Sequence, residues 1–215
     1  MLLPPLLHLA IAFAPAPALP PSVIAAAIVE AARLWAPYGV DVRAARPPDP
    51  TAGPAPDAIT LTVVAATPSA ADRLRAPGAL AAIEFDAGGL PSPRIAIYAR
   101  DVSGFIEHTR VLGASDAQWP RAMHEQILAR AVGRLLAHEI GHFVLATRGH
   151  APRGLMRAEQ TAEDLVAPTR GGLGLSPADV ARLSRRTDKG PAHAAGPSVS
   201  GDSAECALSA PSPGT

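Results

Sequence analysis

His138 and His142 lie four residues apart, with Glu139 directly after the first, in the run Leu135 to Met156 (LLAHEIGHFVLATRGHAPRGLM). On a helix, residues four apart leave the same face one turn from each other, so both imidazoles can reach a single cation. Two imidazole nitrogens at about 2.0–2.1 Å suit Zn²⁺. Glu139 is rotated off that line and can act on a metal-activated water as a general base. His150 follows as a candidate third ligand, so three of the seven histidines fall within thirteen positions. The chemistry these residue types support is metal-assisted hydrolysis, with one catalytic Zn²⁺ as the expected cofactor.

The composition offers no rival chemistry. Cys206 is the only cysteine among 215 residues, so no disulfide can form within the chain and no thiolate set can hold a metal. Histidine and carboxylate are then the available ligands. Nineteen Lys and Arg balance nineteen Asp and Glu, which leaves no net field to draw the protein to nucleic acid or anionic lipid. Aromatic residues, at 4%, are too sparse for a base-stacking surface. No Ser-His-Asp signature or glycine-rich phosphate loop is present. Lys189 is the sole lysine, asparagine is absent and alanine is abundant, so alanine alone is not read as a helix signal.

The elements that must position the histidines are an α+β set. The segment from Gln118 to about Thr147 is the longest periodic stretch, with Pro120 suited to a helix first turn. It becomes apolar around most of its circumference near Ile140, Phe143 and Val144, which predicts a helix in the middle of the domain. Burying two histidines and a glutamate there costs energy unless they find partners, and a metal is such a partner. Upstream, Ser22 to about Ala36 reads as a helix capped by Ser22 and ended by Pro37. Val40–Val42, Ile59–Ala65, Gly78–Phe85 and Arg94–Tyr98 read as strands, the last two as antiparallel neighbours. One helical turn is expected around Ala70–Leu74, another over Gln160–Val166. Asp101 to Asp116 reads as a loop, and Ser176-Pro177 opens a final helix that fades after Arg186. A twisted mixed or antiparallel sheet, an N-terminal helix and a long active-site helix are therefore expected in one domain, 21–186.

Met1–Ala18 carries an apolar run, Leu6–Phe13, and a candidate A-x-A cleavage site at Ala16-Pro17-Ala18. It has no positive charge and several prolines. Residues 1–20 are expected to be a signal peptide or disordered leader, which would make the protein periplasmic or secreted if cleaved and cytoplasmic otherwise. The run is too short to span a bilayer. Residues 187–215, rich in Gly, Pro, Ser and Ala, are expected to be a disordered tail. His124 lies about 21 Å along the helix from His138 and cannot share its site. His108, in a loop, has nothing beside it to assign a role, and His8 and His193 fall in the terminal segments.

The segment resembles the metzincin clan of zinc peptidases, especially matrixin-like and archaemetzincin-like bacterial members. The shared residues are HEIGH (His138–His142), His150, and Gly154-Leu155-Met156, which looks like that clan's Met-turn. Gly78–Phe85 followed by Arg94–Tyr98 is similar to the last two strands of the clan's sheet, the first of them the edge that pairs with an extended substrate. The resemblance extends over about Ser22 to Arg186 and implies a zincin-like fold and endopeptidase activity on a peptide or protein substrate by a monomer. It implies zinc on His138, His142 and His150, Glu139 as the base, and Met156 as an apolar floor. The chain departs from the clan in two places. Leu145 and Arg148 stand where the pattern has glycine and the third histidine, with Gly149 and His150 two residues late. A helix running about half a turn longer, with Gly149 left-handed, would restore His150. Arg157 follows the Met-turn, so no tyrosine is available there. A carboxylate third ligand, Glu159 or Glu163, as in thermolysin-type enzymes, stays open. So does a catalytically degenerate zinc-binding interaction domain.

Overall fold

The computed structural model describes residues 7–14, 19–46, 58–107, 109–111, 113–187 and 204–209. The fold is α+β, with a mixed sheet carried by β1 (Leu7–Phe13), β2 (Val40–Ala44), β3 (Ala58–Ala65), β4 (Ala79–Phe85), β5 (Pro91–Ile97) and β6 (Ala204–Ser209). The spatial order is β2-β1-β3-β5-β4-β6. The first four in that order run parallel, while β4 is antiparallel to both β5 and β6.

Within the segment expected as a leader, residues 1–20, the structure places a strand. Leu7–Phe13 is an inner strand, pairing Leu9 with Val42 on one side and Ile59 on the other. Leu9 and Ile11 alternate into the core and are each 2% exposed. An apolar run of this length suits a buried strand as well as a leader, and only its partners distinguish the two. Removing residues 1–18 would take β1 out of the sheet. The candidate cleavage site at Ala16–Ala18 lies outside the described residues, as do His108 and His193.

Within the segment expected as a tail, residues 187–215, Ala204–Ser209 adds β6 to the free side of β4. Consequently β4 is not the sheet edge that the resemblance implied. Pro91 and Pro93 fit β5 because β3 pairs only with Arg94–Ile97, leaving the prolines where their missing N–H disrupts no second ladder.

Two helices support the site. α1 (Pro21–Trp35) lies along α4 (Arg121–Leu145), and the two approach closely at Gly133, where a Cβ would stand 2.6 Å from the Ala27 carbonyl oxygen. Ser22 does not cap α1. Its hydroxyl instead donates to Glu125 Oε2 at 3.0 Å, and Pro20 occupies the cap position. α2 (Ala70–Arg75) is closed by a Ser69–Asp72 capping box. Part of the segment expected as a loop, Asp101–Asp116, is helical. α3 (Ala99–Ile106) buries Ala99, Val102 and Ile106, spaced as one helical face. α5 (Ala162–Val166) and α6 (Pro177–Thr187) complete the set. Among the described residues, no helix is long and apolar enough to cross a membrane.

If β1 belongs to the folded core, Leu9→Ala should cost about 2–4 kcal/mol in urea denaturation, as other buried leucines do. Val29→Ala, at a position 47% exposed on α1, should stay within about 0.5 kcal/mol. Equal, near-zero effects for the two would place β1 outside the cooperative unit.

Candidate metal centre

α4 brings His138, Glu139 and His142 to the centre of the molecule, where each is 0% exposed. His150, on the segment after the helix, returns to them. Ligand-capable atoms of His138, His142 and His150 all lie within 4.8 Å of one another. The His150 ring stacks on His138 with centroids 5.3 Å apart and meets His142 edge-on at 4.9 Å.

Backbone carbonyls fix the two helix imidazoles. His138 Nδ1 donates to the Leu155 carbonyl and His142 Nδ1 to the Thr147 carbonyl, each at 2.7 Å. A carbonyl only accepts, so each Nδ1 carries the proton, and in the neutral rings each Nε2 presents a lone pair. These two Nε2 atoms face one another at 2.9 Å. Protonating either ring to bridge them is disfavoured. Burial holds His138 well below the usual histidine range and brings His142 to about 4. His150 is lowered as well, by dehydration of the face it turns to the other two rings. Three neutral nitrogens converging on one point, with the outer nitrogens of two held by carbonyls, fit a cation rather than a proton. Three histidines so placed can bind a metal ion.

The chain reaches this arrangement by a route other than the one expected. α4 ends at Leu145, and Ala146 rather than Gly149 takes the left-handed conformation, with φ 45° and ψ 56°. The Ala146 N–H donates to Phe143 O at 3.3 Å and the Thr147 N–H to His142 O at 3.2 Å, satisfying carbonyls of the last turn. The Gly149 N–H then donates to Thr147 Oγ1 at 3.1 Å, and the turn sets His150 back over His138. The helix stops at Leu145 rather than running on to Gly149. Reversal at Ala146 carries the side-chain strain that left-handed backbone imposes, on the order of 1–2 kcal/mol, which the surrounding contacts offset.

Beneath the histidines, Gly141 leaves room for Met156. A Cβ at Gly141 would fall 2.2 Å from Met156 Sδ and 3.4 Å from Trp35 Cζ2. Trp35 is fully buried on α1, and its indole N–H donates to the Ala137 carbonyl at 2.9 Å, one residue before His138. Gly154 has φ 86°, and a Cβ there would meet the Gly174 carbonyl oxygen at 2.2 Å. That oxygen accepts from the Leu155 N–H at 3.0 Å, so the strand of chain carrying the His138 clamp is itself held. The buried Gln160 amide donates to Gly154 O at 3.3 Å.

A buried ion pair anchors the other side of this loop. Arg134, one turn before His138 on α4, donates to Glu30 Oε1 at 3.2 Å and to the carbonyls of Asp164, Ala167 and Thr169 at 2.5, 2.7 and 2.8 Å. Arg170 completes Glu30, with Nη2 at 2.5 Å from Oε2. Both charges are thereby paired and hydrogen-bonded, the condition under which burial is tolerated. The sequence reading did not single out Glu30, Arg134, Trp35 or Gly141. The one available signal was an arginine and a glutamate within otherwise apolar helix faces.

Neither Glu159 nor Glu163 joins the histidine cluster. Glu163 lies on α5, and the Glu159 carbonyl accepts from Arg157 Nε at 2.5 Å. Arg157 also pairs with Asp164. His124 packs against Trp119 at the start of α4, with centroids 6.3 Å apart. His8 pairs with Asp41 at 3.1 Å across β1 and β2. Comparison with models of protein families, with curated proteins and with solved structures found no match to this chain.

Gly141→Ala should cost more than about 2 kcal/mol and weaken metal binding, because Met156 must leave its place under the histidines; denaturation and metal titration check both. Low pH should destabilise the metal-free protein. The folded His142 resists protonation until about 4, whereas an unfolded histidine takes a proton near 6.5. The unfolded chain therefore binds more protons between those values. The contribution is complete above about 6.5 and falls by roughly 3 kcal/mol as pH drops to about 4. Denaturation midpoints of wild type and His142→Asn across that window should diverge at high pH and converge at low pH.

Proposed function

We propose that this chain is a zinc-dependent metallopeptidase of metzincin-like architecture. The observation that carries the reading is the convergence of His138, His142 and His150 within 4.8 Å, with Glu139 beside the first of them on the same helix. Three neutral imidazoles and no thiolate make a donor set suited to zinc. When bound there, such an ion acidifies water and polarises a carbonyl. The chain's own groups do the rest. The carbonyls of Thr147 and Leu155 hold the ligand rings in one tautomer. Met156 and Trp35 keep the floor beneath them apolar and dry. Glu139 takes the proton from water and later returns it to the leaving amine of a cleaved peptide bond.

The test combines a metal count with peptide cleavage. Wild type should hold one zinc per chain and cut a mixed peptide library. Glu139→Gln should keep zinc and lose at least about a hundredfold in turnover, since general-base catalysis is worth that much or more. His142→Ala should lose both. Wild-type turnover in Glu139→Gln would refute the mechanism. One zinc per chain without cleavage in any variant would favour a protease-like domain that binds a partner without cutting it.

A further inference from the structure

We propose that Tyr38 is a positioning residue for the metal centre, acting on His138 through the Gly174–Leu175 peptide group and Leu155. α1 ends at Trp35, and a 3₁₀ turn over Ala36–Tyr38 follows it, closed by Gly39 at φ 73°. The turn gathers two aromatic rings at one corner, where Trp35 and Tyr38 meet edge-on with centroids 6.1 Å apart. Each ring has an apolar body and one polar atom, and each spends that atom on an element of the metal centre.

Trp35 acts on the helix. Its indole N–H donates to the carbonyl of Ala137, the residue before His138, at 2.9 Å. Tyr38 acts on the loop. Its hydroxyl oxygen accepts from the Leu175 N–H at 2.8 Å. That N–H and the Gly174 carbonyl belong to one planar trans peptide group and point to opposite sides of it. The Gly174 carbonyl accepts from the Leu155 N–H at 3.0 Å, and the Leu155 carbonyl accepts from His138 Nδ1 at 2.7 Å. Hydrogen bonds therefore run in series from the Tyr38 hydroxyl to the imidazole.

A peptide group pinned at both its N–H and its carbonyl cannot rotate without losing a bond. Hydrogen bonds in series also polarise one another, so each link strengthens the next. The corner thus holds both sides of the His138–Leu155 bond, the helix through Trp35 and the loop through Tyr38. His142 depends on a different oxygen. Its Nδ1 donates to the Thr147 carbonyl just past α4, which lies outside the Tyr38 series. Loss of the Tyr38 hydroxyl should therefore loosen one histidine and spare the other. The proposal rests on the histidines binding a metal ion, and not on peptide cleavage.

The experiment compares the full chain with Tyr38→Phe, which keeps the ring and its contact with Trp35 while removing the acceptor. Proton NMR of the metal-free proteins reads the Nδ1–H of His138 and of His142, assigned with His138→Asn and His142→Asn. In Tyr38→Phe the His138 Nδ1–H should move upfield and exchange with solvent at least about tenfold faster, while that of His142 keeps its position and rate. Zinc binding, titrated against a chelator, should weaken about tenfold, as loss of an outer partner of a ligand histidine does. Leu9→Ala, which destabilises the protein from β1, should leave both signals in place and zinc affinity within about twofold. An unchanged His138 signal overturns the proposal, as do equal losses at both histidines. Zinc affinity within about twofold of a wild type that binds zinc overturns it too, and so does a Leu9→Ala protein that reproduces the Tyr38→Phe pattern. If the wild type takes up no zinc, the metal reading falls, and the His138 signal alone decides whether Tyr38 positions that ring.

Discussion

The hydrogen bonds from two imidazole Nδ1 atoms to the carbonyls of Thr147 and Leu155 tie the chain's central helix to the segment that follows it. One carbonyl comes from the turn just past α4, the other from seventeen residues beyond His138. Each fixes a proton on the outer nitrogen and turns the inner lone pair toward its counterpart. Without them both rings could flip or tautomerise, and burial in an apolar helix would leave them poorly paired. With them, the helix carries a preformed set of donors. The reversal at Ala146, the left-handed Gly154 and the Leu155–Gly174 hydrogen bond all serve to place those two oxygens.

A second constraint acts from behind. Arg134 reaches three carbonyls between Asp164 and Thr169 while its charge is matched by Glu30 on α1. It binds α1, α4 and the α5 region into one frame. The loop bearing Leu155 and Met156 spans the distance between this anchor and the end of α4. Burying such a pair yields little net stability when compared with an apolar substitute, but breaking it would strand a charge. Its contribution is to hold the loop in one place. Gly133 and Gly141 have a related part on α4, admitting α1 at one point and Met156 at the other.

How much of this could be read from the sequence follows the range of each interaction. His138, Glu139 and His142 declare themselves by spacing on one helix face, and α1, β3, β4 and α4 by their apolar periods. His150 could be marked as a candidate, but its route back could not. Glycine at 149 was the obvious place for a left-handed residue, and the chain puts it at Ala146, where contacts beyond the helix outweigh local preference. Leu7–Phe13 is an apolar run with no local feature that separates a leader from an inner strand. α3 was hidden because Asp101 and Gly104 suggest a loop, while the face of Ala99, Val102 and Ile106 shows only against its neighbours. β6 has a composition that argues against any strand, and only the open side of β4 recruits it.

The strand order has a consequence for how the molecule is built during synthesis. β1 leaves the ribosome before its partners β2 and β3, which are both complete by Ala65. The four parallel strands and β4 can therefore assemble once Ile97 has emerged, and the histidine segment, whose Leu155 is held by the Gly174 carbonyl, once Gly174 has. Among the described strands, β6 is the last in the chain, so the pairing of Ile83 with Cys206 comes after the others. Closing a loop twice as long adds only about 0.6 kcal/mol, so the delay reflects order of appearance rather than entropy. A nascent chain of this protein thus passes through an interval in which its three clustered histidines are assembled while one side of the sheet stands open.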